Sequence, residues 1–234
     1  IVFGDWSSDV CSSDLRPAAM LERLQQLDLL SPIHPALTWQ PTLSTALHKA
    51  LHSSPPAGWQ LPPSTSGQPS SRLMAYLIWL ATLPLEAIVE ISLRLKFSRP
   101  LRLAIQITAK LWQQFPSLLA QPPSQAYAQL KDAPTAALYA LYLLIPTAEG
   151  RALLHHCQTE WQHIQPFTTA AQLQALGLPP GPRYTAILNT LRNAHLDGVL
   201  HSRADEEALL QTLLTDSASY GNTPPTLSSR PSLD

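Results

Sequence analysis

Apolar residues recur at helical spacing along most of the chain. In the first such stretch, Met20, Leu24 and Leu27 lie three or four residues apart, with mostly polar residues between them. This spacing places the apolar side chains on one face of an α-helix. No stretch shows the sustained alternation of apolar and polar residues that is typical of a half-buried β-strand. The pattern therefore predicts an all-α protein, a multi-helix array without a sheet.

Prolines divide this pattern into many short helices. The chain has 23 prolines against 8 glycines, and a proline inside a helix lacks an amide hydrogen and clashes with the preceding turn. We therefore expect Pro116 to end the helix that begins near Pro100, and the Pro/Ser/Gly-rich stretch 53–71 to be a mobile loop. The pattern predicts helices over residues 20–30, 43–51, 72–83, 85–97, 100–115, 124–131, 134–145, 147–165, 169–176, 182–197 and 203–214.

Glycine and proline mark a helix–turn–helix corner between residues 176 and 198. We place Gly177 just past one helix end, where glycine adopts a positive φ without strain. Gly181 and Pro182 suit the cap and the first position of the next helix, and Gly198 ends that helix. Capping boxes, in which two side chains bond each other's backbone amides, are predicted at 169–172 and 202–205.

Changes in composition divide the chain into four parts. Residues 1–15 repeat Ser-Ser-Asp without any helical or strand period. They are typical of an artefactual leader translated from adaptor sequence, in which case the true chain starts upstream, or of a disordered N-terminus. We predict a helical body over 16–166, a small helical tail over 167–216 and a disordered C-terminus over 217–234.

Charged residues are few and unevenly placed. They make up 13% of the chain, with a net charge of −1, while the 45% apolar content is typical of a globular protein. Between Ile91 and Lys131, however, the chain has lysines and arginines and no carboxylate. A segment of one charge sign favours an anionic partner; the alternative is a solvated surface without acidic neighbours.

The cysteines and the apolar runs indicate the compartment. Cys11 and Cys157 form no CxxC motif and no disulfide framework, so a reducing cytoplasm is the expected location. The longest apolar runs, 73–83 and 136–145, are shorter than the roughly 20 residues that a membrane span needs. We therefore expect a cytoplasmic protein that does not enter a membrane.

Catalytic and metal-binding patterns are weak. His155, His156, Cys157 and His163 could suggest zinc, but adjacent residues of a helix point about 100° apart and a structural zinc needs four converging ligands. No nucleophile motif is present. His34 is interpreted as a structural residue of its turn. We predict no catalytic residue and no metal site in this chain.

Three segments carry a resemblance to a known family. They are the Leu-rich helix and Ile-His-Pro-Ala-Leu turn of 20–37, the segment Pro-Ser-Gln-Ala-Tyr-Ala-Gln-Leu of 123–130, and 173–210, which includes Ala-His-Leu-Asp-Gly and Arg-Ala-Asp-Glu-Glu. Here the chain resembles the C-terminal half of the tRNA nucleotidyltransferase/poly(A) polymerase family, specifically the bacterial CCA-adding enzymes. It departs from the family at 169–172, where Thr-Ala-Ala-Gln replaces Thr-Gly and acidic residues.

The resemblance implies a parent enzyme that adds CCA to tRNA 3′ ends from CTP and ATP with Mg²⁺. The family's catalytic head carries a Gly-Ser motif and an Asp-x-Asp pair, which do not occur here. Two-metal phosphoryl transfer needs converging carboxylates, so we expect this chain to hold no cofactor and to be inactive alone. The resemblance implies that it holds the elbow and acceptor stem of tRNA beside a missing N-terminal catalytic domain of the same protein.

Two groups of residues are the predicted RNA contacts. At the Gly181 helix start, free amides and the positive end of the helix dipole suit a phosphate, with Arg183 beside them and Arg192 further along the helix. The alternative is a structural corner whose amides contact only water. The second group would contact the RNA backbone without reading its sequence; it comprises Arg94, Lys96, Arg99 and Arg102.

Two other functions remain open from the sequence. One is the C-terminal part of a poly(A) polymerase, because nucleotide choice in this family resides in the missing neck. The other is a non-enzymatic, all-helical module that binds protein partners and never contacts RNA. An affinity for tRNA that falls steeply with salt would separate RNA binding from the protein-interaction module.

Overall fold

The computed structural model describes residues 17–61, 71–178 and 181–220. All regular elements in these ranges are helical, which confirms the all-α prediction. The predicted leader, most of the predicted loop (62–70), Pro179, Pro180 and the C-terminal residues 221–234 lie outside the described residues. The helices are α1 Pro17–Gln26, α2 Ser44–His52, α3 Ser71–Leu80, α4 Leu85–Arg94, α5 Arg99–Leu119, α6 Pro123–Leu130, α7 Thr135–Leu144, α8 Ala148–Thr159, α9 Ala170–Ala175, α10 Pro182–Leu196 and α11 Arg203–Tyr220, with 3₁₀ turns at Pro41–Leu43 and Trp161–His163.

The described residues belong to two compact units. The body unit is Ile1–Gln121 with Gln125–Gln162, and the tail unit is Pro122–Ser124 with His163–Asp234. The predicted domain boundary between residues 166 and 167 stays a prediction. None of the helices in the described ranges combines the length and the apolar character that a membrane crossing requires.

Helix α7 forms the centre of the body unit's core. Every residue from Ala136 to Leu141 is buried, and the helix packs against α2, α3, α5 and α8. Its alanines Ala136, Ala137 and Ala140 keep the helix surface small, so neighbouring backbones can approach closely. Because a fully buried Leu or Ile stabilises the fold by about 1.5–3 kcal/mol, this apolar core is the main source of the body unit's stability.

The prediction that Pro116 ends its helix is wrong. Helix α5 runs from Arg99 through Pro116 to Leu119. Pro116 lies in the last turn, where its neighbours Phe115 and Leu118 are 6% and 0% exposed. A proline inside a helix costs about 3 kcal/mol, and the burial of two large apolar side chains offsets a cost of that size.

Four body helices end three or more residues earlier than predicted. Helix α1 ends at Gln26 in place of residue 30, where Asp28 adopts a left-handed conformation with φ 51°, and α3 ends at Leu80 in place of residue 83. Helix α4 ends at Arg94 because Lys96 adopts a left-handed conformation with φ 53°. The amides of Lys96 and Phe97 then bond back to the carbonyls of Leu93 and Ser92 at 3.2 and 2.9 Å, which is the Schellman pattern of helix termination. Helix α8 ends at Thr159, and a 3₁₀ turn follows in place of its predicted last turn.

The tail unit has a small apolar core. Leu173, Leu178, Ile187, Leu191 and Leu210 are buried together, with partly buried apolar side chains of α10 and α11 packed against them. The predicted glycine helix ends are confirmed by positive φ angles, and both predicted capping boxes are present. Helix α11 continues to residue 220, four residues beyond the predicted end of order at 216.

Candidate nucleic-acid interface

Four cationic side chains surround the junction between α4 and α5. Arg94 ends α4, Lys96 lies in the turn, and Arg99 and Arg102 lie in the first turn of α5. The first three are exposed and Arg102 is half-buried. Only residues 95–98 separate α4 from α5, and the two helices pack against each other, so these side chains surround one junction of the body unit. We call this set the basic corner.

The basic corner has no internal partners among the described residues: none of its four side chains makes a hydrogen bond or an ion pair there. Glu90 is four residues before Arg94, the usual spacing of a helical ion pair. Its Oε2 instead contacts His34 Nε2 at 3.0 Å. The other ring nitrogen of His34 accepts the Ala36 amide at 3.1 Å, so His34 is the structural turn residue that we predicted.

The start of α5 increases the positive charge of this corner. Ser98 caps the helix without a side-chain hydrogen bond, and the first turn contains no acidic residue. Cations at a helix N-terminus oppose the helix dipole, at a cost of about 0.3–1 kcal/mol each when exposed. Arg99 and Arg102 therefore concentrate positive potential where free backbone amides already favour an anion.

The tail turn has the geometry that the sequence predicted. Gly181 caps α10 in an extended conformation, Pro182 follows in the first turn, and the Tyr184 amide donates to the Gly181 carbonyl at 3.0 Å. The Tyr184 hydroxyl donates to the carbonyl of Leu178 at 2.7 Å, which fixes the start of the helix. Arg183 is exposed beside it. A phosphate contact at Gly181 and Arg183 stays a prediction.

Arg192 differs from the other predicted RNA contacts. Its side chain is half-buried, and its Nε donates to the carbonyl of Ile164 at 3.0 Å. This bond connects the middle of α10 to the segment before α9, inside the tail unit. The structure therefore gives Arg192 a stabilising role, and its predicted contact with RNA stays untested.

Sequence reasoning missed the role of Glu206 at the start of α11. Glu206 is 1% exposed, and its carboxylate accepts the amides of Thr168 at 2.6 Å and Phe167 at 2.9 Å. Its Oε2 also contacts His195 Nε2 at 2.5 Å. Burial opposes the charged form, but hydrogen bonds from Thr168, His195 and the Phe167 amide outweigh it, and the pKa of Glu206 falls below its ordinary value. We call these four residues the Glu206 network.

One sequence feature could have indicated this network. Glu206 precedes Leu209 and Leu210 by three and four residues, so it occupies the apolar face of α11. His195 likewise lies on the arc of α10 that carries Ile187 and Leu191. A carboxylate and an imidazole at inward positions of two helices indicate a buried pair, because neither is stable there alone.

Asp197 connects two of the segments that carry the family resemblance. Its Oδ1 accepts the Ser124 amide and its Oδ2 accepts the Ser124 hydroxyl, both at 2.8 Å. The two residues are 73 positions apart in the chain, and both belong to the tail unit. No local pattern predicts this bond. Both the histidine and the aspartate of the Ala-His-Leu-Asp-Gly motif thus make hydrogen bonds that stabilise the tail unit.

The candidate metal ligands do not converge. His155 Nδ1 accepts the Trp59 indole Nε1 at 3.0 Å, whereas His156 lies 3.0 Å from Glu160. Burial raises the pKa of the Cys157 thiol to about 12, so it is not a thiolate. Among the described residues, no three His, Cys, Asp or Glu side chains are grouped to hold a metal ion.

Comparison with known proteins shows the fold. No protein-family model and no curated protein sequence matches the chain. It is similar to the Thermotoga maritima CCA-adding enzyme complexed with tRNA, with a TM-score of 0.58 and 17% identity over 86% of this chain and 48% of that chain.

Other solved structures agree with this result. A CCA-adding enzyme complexed with CTP gives a TM-score of 0.57 and 16% identity over 89% of this chain and 48% of that chain. An apo form of a CCA-adding enzyme gives a TM-score of 0.57 and 17% identity over 87% of this chain and 47% of that chain. The chain thus spans about half the length of these enzymes. It has the fold of their helical portion, as the resemblance in the sequence predicted.

Proposed function

We propose that this chain is the tRNA-holding helical portion of a CCA-adding tRNA nucleotidyltransferase. The observation that carries the proposal is the likeness in fold, over 86% of the chain, to an enzyme whose structure contains tRNA. The basic corner supports it, because unpaired cations on a protein with a net charge of −1 suit a polyanion. In this role the chain holds the elbow and acceptor-stem backbone of tRNA in the cytoplasm.

The proposed contacts are electrostatic and independent of sequence. Lysine and arginine bind RNA phosphates through charge, and double-stranded RNA is recognised mainly by its shape and backbone. The tail turn at Gly181 and Arg183 is proposed as a further phosphate contact. Together these contacts would position a tRNA without selecting any nucleotide.

The nucleotide-adding chemistry is proposed to reside in a catalytic domain outside these residues. That domain would bind Mg²⁺, CTP and ATP. We expect the purified 234-residue chain to incorporate no nucleotide into tRNA lacking CCA when CTP, ATP and Mg²⁺ are supplied. Incorporation of either nucleotide would contradict this part of the proposal.

A filter-binding titration tests the proposed function. Labelled tRNA is titrated with the chain at about 50 and 200 mM salt, with a DNA duplex of similar charge as competitor. We expect measurable affinity that falls steeply with salt, and weaker competition by the duplex because its B-form shape differs. No binding at the lower salt concentration would contradict the proposal and favour a module that binds proteins.

A further inference from the structure

We infer that the basic corner is the surface on which this chain receives a phosphodiester backbone of RNA. The inference rests on the proposed function and adds a location to it: the α4–α5 junction of the body unit provides the principal electrostatic contact. This location is supported by the missing internal partners of the four cations, the energetic cost of their arrangement and the chemistry of their side chains.

The basic corner has no ion-pair partner among the described residues. No carboxylate occurs from residue 91 to residue 131, which includes the turn and all of α5. The nearest preceding acid, Glu90, contacts His34 and leaves Arg94 without its helical partner. The basic corner thus has four cations within nine residues, and none of them makes an ion pair in the described part of the chain.

This arrangement costs conformational and electrostatic energy. Lys96 has a φ of 53°, a conformation that glycine adopts freely and that is strained for lysine. Arg99 and Arg102 lie at the end of α5 where the helix dipole disfavours cations. A glycine at 96 or an aspartate at the start of α5 would remove these costs. A bound phosphate would neutralise the repulsion between the cations and so remove the electrostatic part of this cost.

The side chains match phosphate chemistry. Three of the four are arginines, whose planar guanidinium forms paired hydrogen bonds with phosphate oxygens. Arg99 and Arg102 are three residues apart on α5, which places their Cβ atoms about 5–6 Å apart on one side of the helix. Such a pair can contact neighbouring phosphates of one strand. The corner thus fits a backbone and not a base edge.

A charge-matched pair of variants tests the inference. The corner variant carries Arg94→Gln, Lys96→Gln, Arg99→Gln and Arg102→Gln. The control variant carries the same change at four exposed cations elsewhere in the body unit, so its net charge is identical; these are Lys49, Arg72, Lys110 and Lys131. Thermal melts establish that both variants fold. Should the corner variant melt early, the doubles at 94/96 and at 99/102 replace it.

We expect the corner variant to bind tRNA roughly tenfold to a hundredfold more weakly at low salt. The slope of log affinity against log salt should fall by roughly three to four, because about one unit is lost per phosphate contact. The control variant should lose less than about threefold, since screened charges distant from the RNA contribute little. Each double variant should show about half of the decrease in slope that is expected for the corner variant.

Three results would overturn the inference. Equal losses in both variants would show an effect of net charge alone, and wild-type affinity in the corner variant would place the contact elsewhere. Displacement of tRNA by polyglutamate as readily as by unlabelled tRNA would assign the corner to an acidic protein segment. Absence of any binding by the wild-type chain is a distinct result: it overturns the proposed function itself.

Discussion

The two units use their polar side chains in opposite ways. In the tail unit, Glu206 and Asp197 bind backbone amides and neighbouring side chains. In the body unit, the basic corner has no such partner among the described residues. These two carboxylates of the tail unit therefore stabilise the fold, whereas the four cations of the basic corner are available to another molecule.

The two units also differ in the size of their cores. The body unit buries six consecutive residues of α7, residues 136–141, and large apolar side chains from α3 and α5. The tail unit buries five large apolar residues together. Because a smaller unit removes less apolar surface from water, it depends more on satisfied buried hydrogen bonds. In a small unit, a polar sequence motif should therefore be tested first for a role in stabilising the fold.

Among the variants that test this difference between the units, removal of the Glu206 side chain should change stability the most. Glu206→Ala leaves the amides of Phe167 and Thr168 and the His195 ring without their acceptor, and should lower the tail unit's stability by about 3–5 kcal/mol. Hydrogen exchange of α9 and α11 amides measures this loss. Glu207→Ala is the matched control, because Glu207 is 62% exposed and forms a surface ion pair with Arg203. Equal effects of the two variants would contradict the structural role of Glu206.

Asp197→Ala should have the next largest effect. It removes two hydrogen bonds to Ser124, one of them to a helix-start amide, and should cost about 1–2 kcal/mol. Asp197→Asn keeps one acceptor oxygen and should lose about half as much. The readout is the exchange rate of the Ser124 amide. An unchanged rate in Asp197→Ala would show that this bond does not form in solution.

Acid should destabilise the tail unit through Glu206. The folded-state pKa of Glu206 is below its ordinary value of 4.5. Its stabilisation is therefore fully present above about pH 4.5 and is lost as the pH falls through the lowered value. Asp205 acts in the same direction, because hydrogen bonds from Ser202 and the His201 amide lower its pKa.

Hydrogen exchange of the tail amides between pH 6 and pH 3, corrected for the intrinsic exchange rate, measures this dependence. In Glu206→Gln the dependence on pH should be shallower, since the contribution of the Glu206 carboxylate is removed. An identical pH profile in wild type and variant would contradict the assignment to Glu206.

The smallest expected effect is a stabilisation. Lys96→Gly relieves the positive φ at the end of α4 and should stabilise the body unit by about 0.5–1 kcal/mol, while Lys96→Ala should give no such gain. Chemical denaturation followed by tryptophan fluorescence measures both. The same glycine variant should weaken tRNA binding and lower its salt slope by about one. A Lys96→Gly variant that is less stable than wild type would contradict the inference that the Lys96 backbone is strained.

Local features were predictable from the sequence, and long-range ones were not. Gly177, Gly198 and both capping boxes depend on residues within one or two turns, so their patterns identified them. The sequence pattern places the end of α5 wrongly at Pro116, because the burial of Phe115 and Leu118 offsets the energetic cost of a proline inside the helix. The left-handed Lys96 has no indication in the sequence, since helix ends of this kind favour glycine.

The candidate site was predictable only in part. The four cations of the basic corner were identified from charge alone, but their lack of partners depends on where Glu90 points, which only the structure shows. The contact between Asp197 and Ser124 joins residues 73 positions apart and has no local pattern. The Glu206 network could have been inferred from a carboxylate on an apolar helix face.

Hydrogen exchange of the chain with and without saturating tRNA tests the central claim most directly. The claim is that the basic corner receives the RNA while the Glu206 network serves the fold. We expect slower exchange at the amides of residues 96–99 and 101, with no change at His195 and Glu206. Unchanged exchange at the basic corner, in a sample where tRNA binding is measured, would contradict the account.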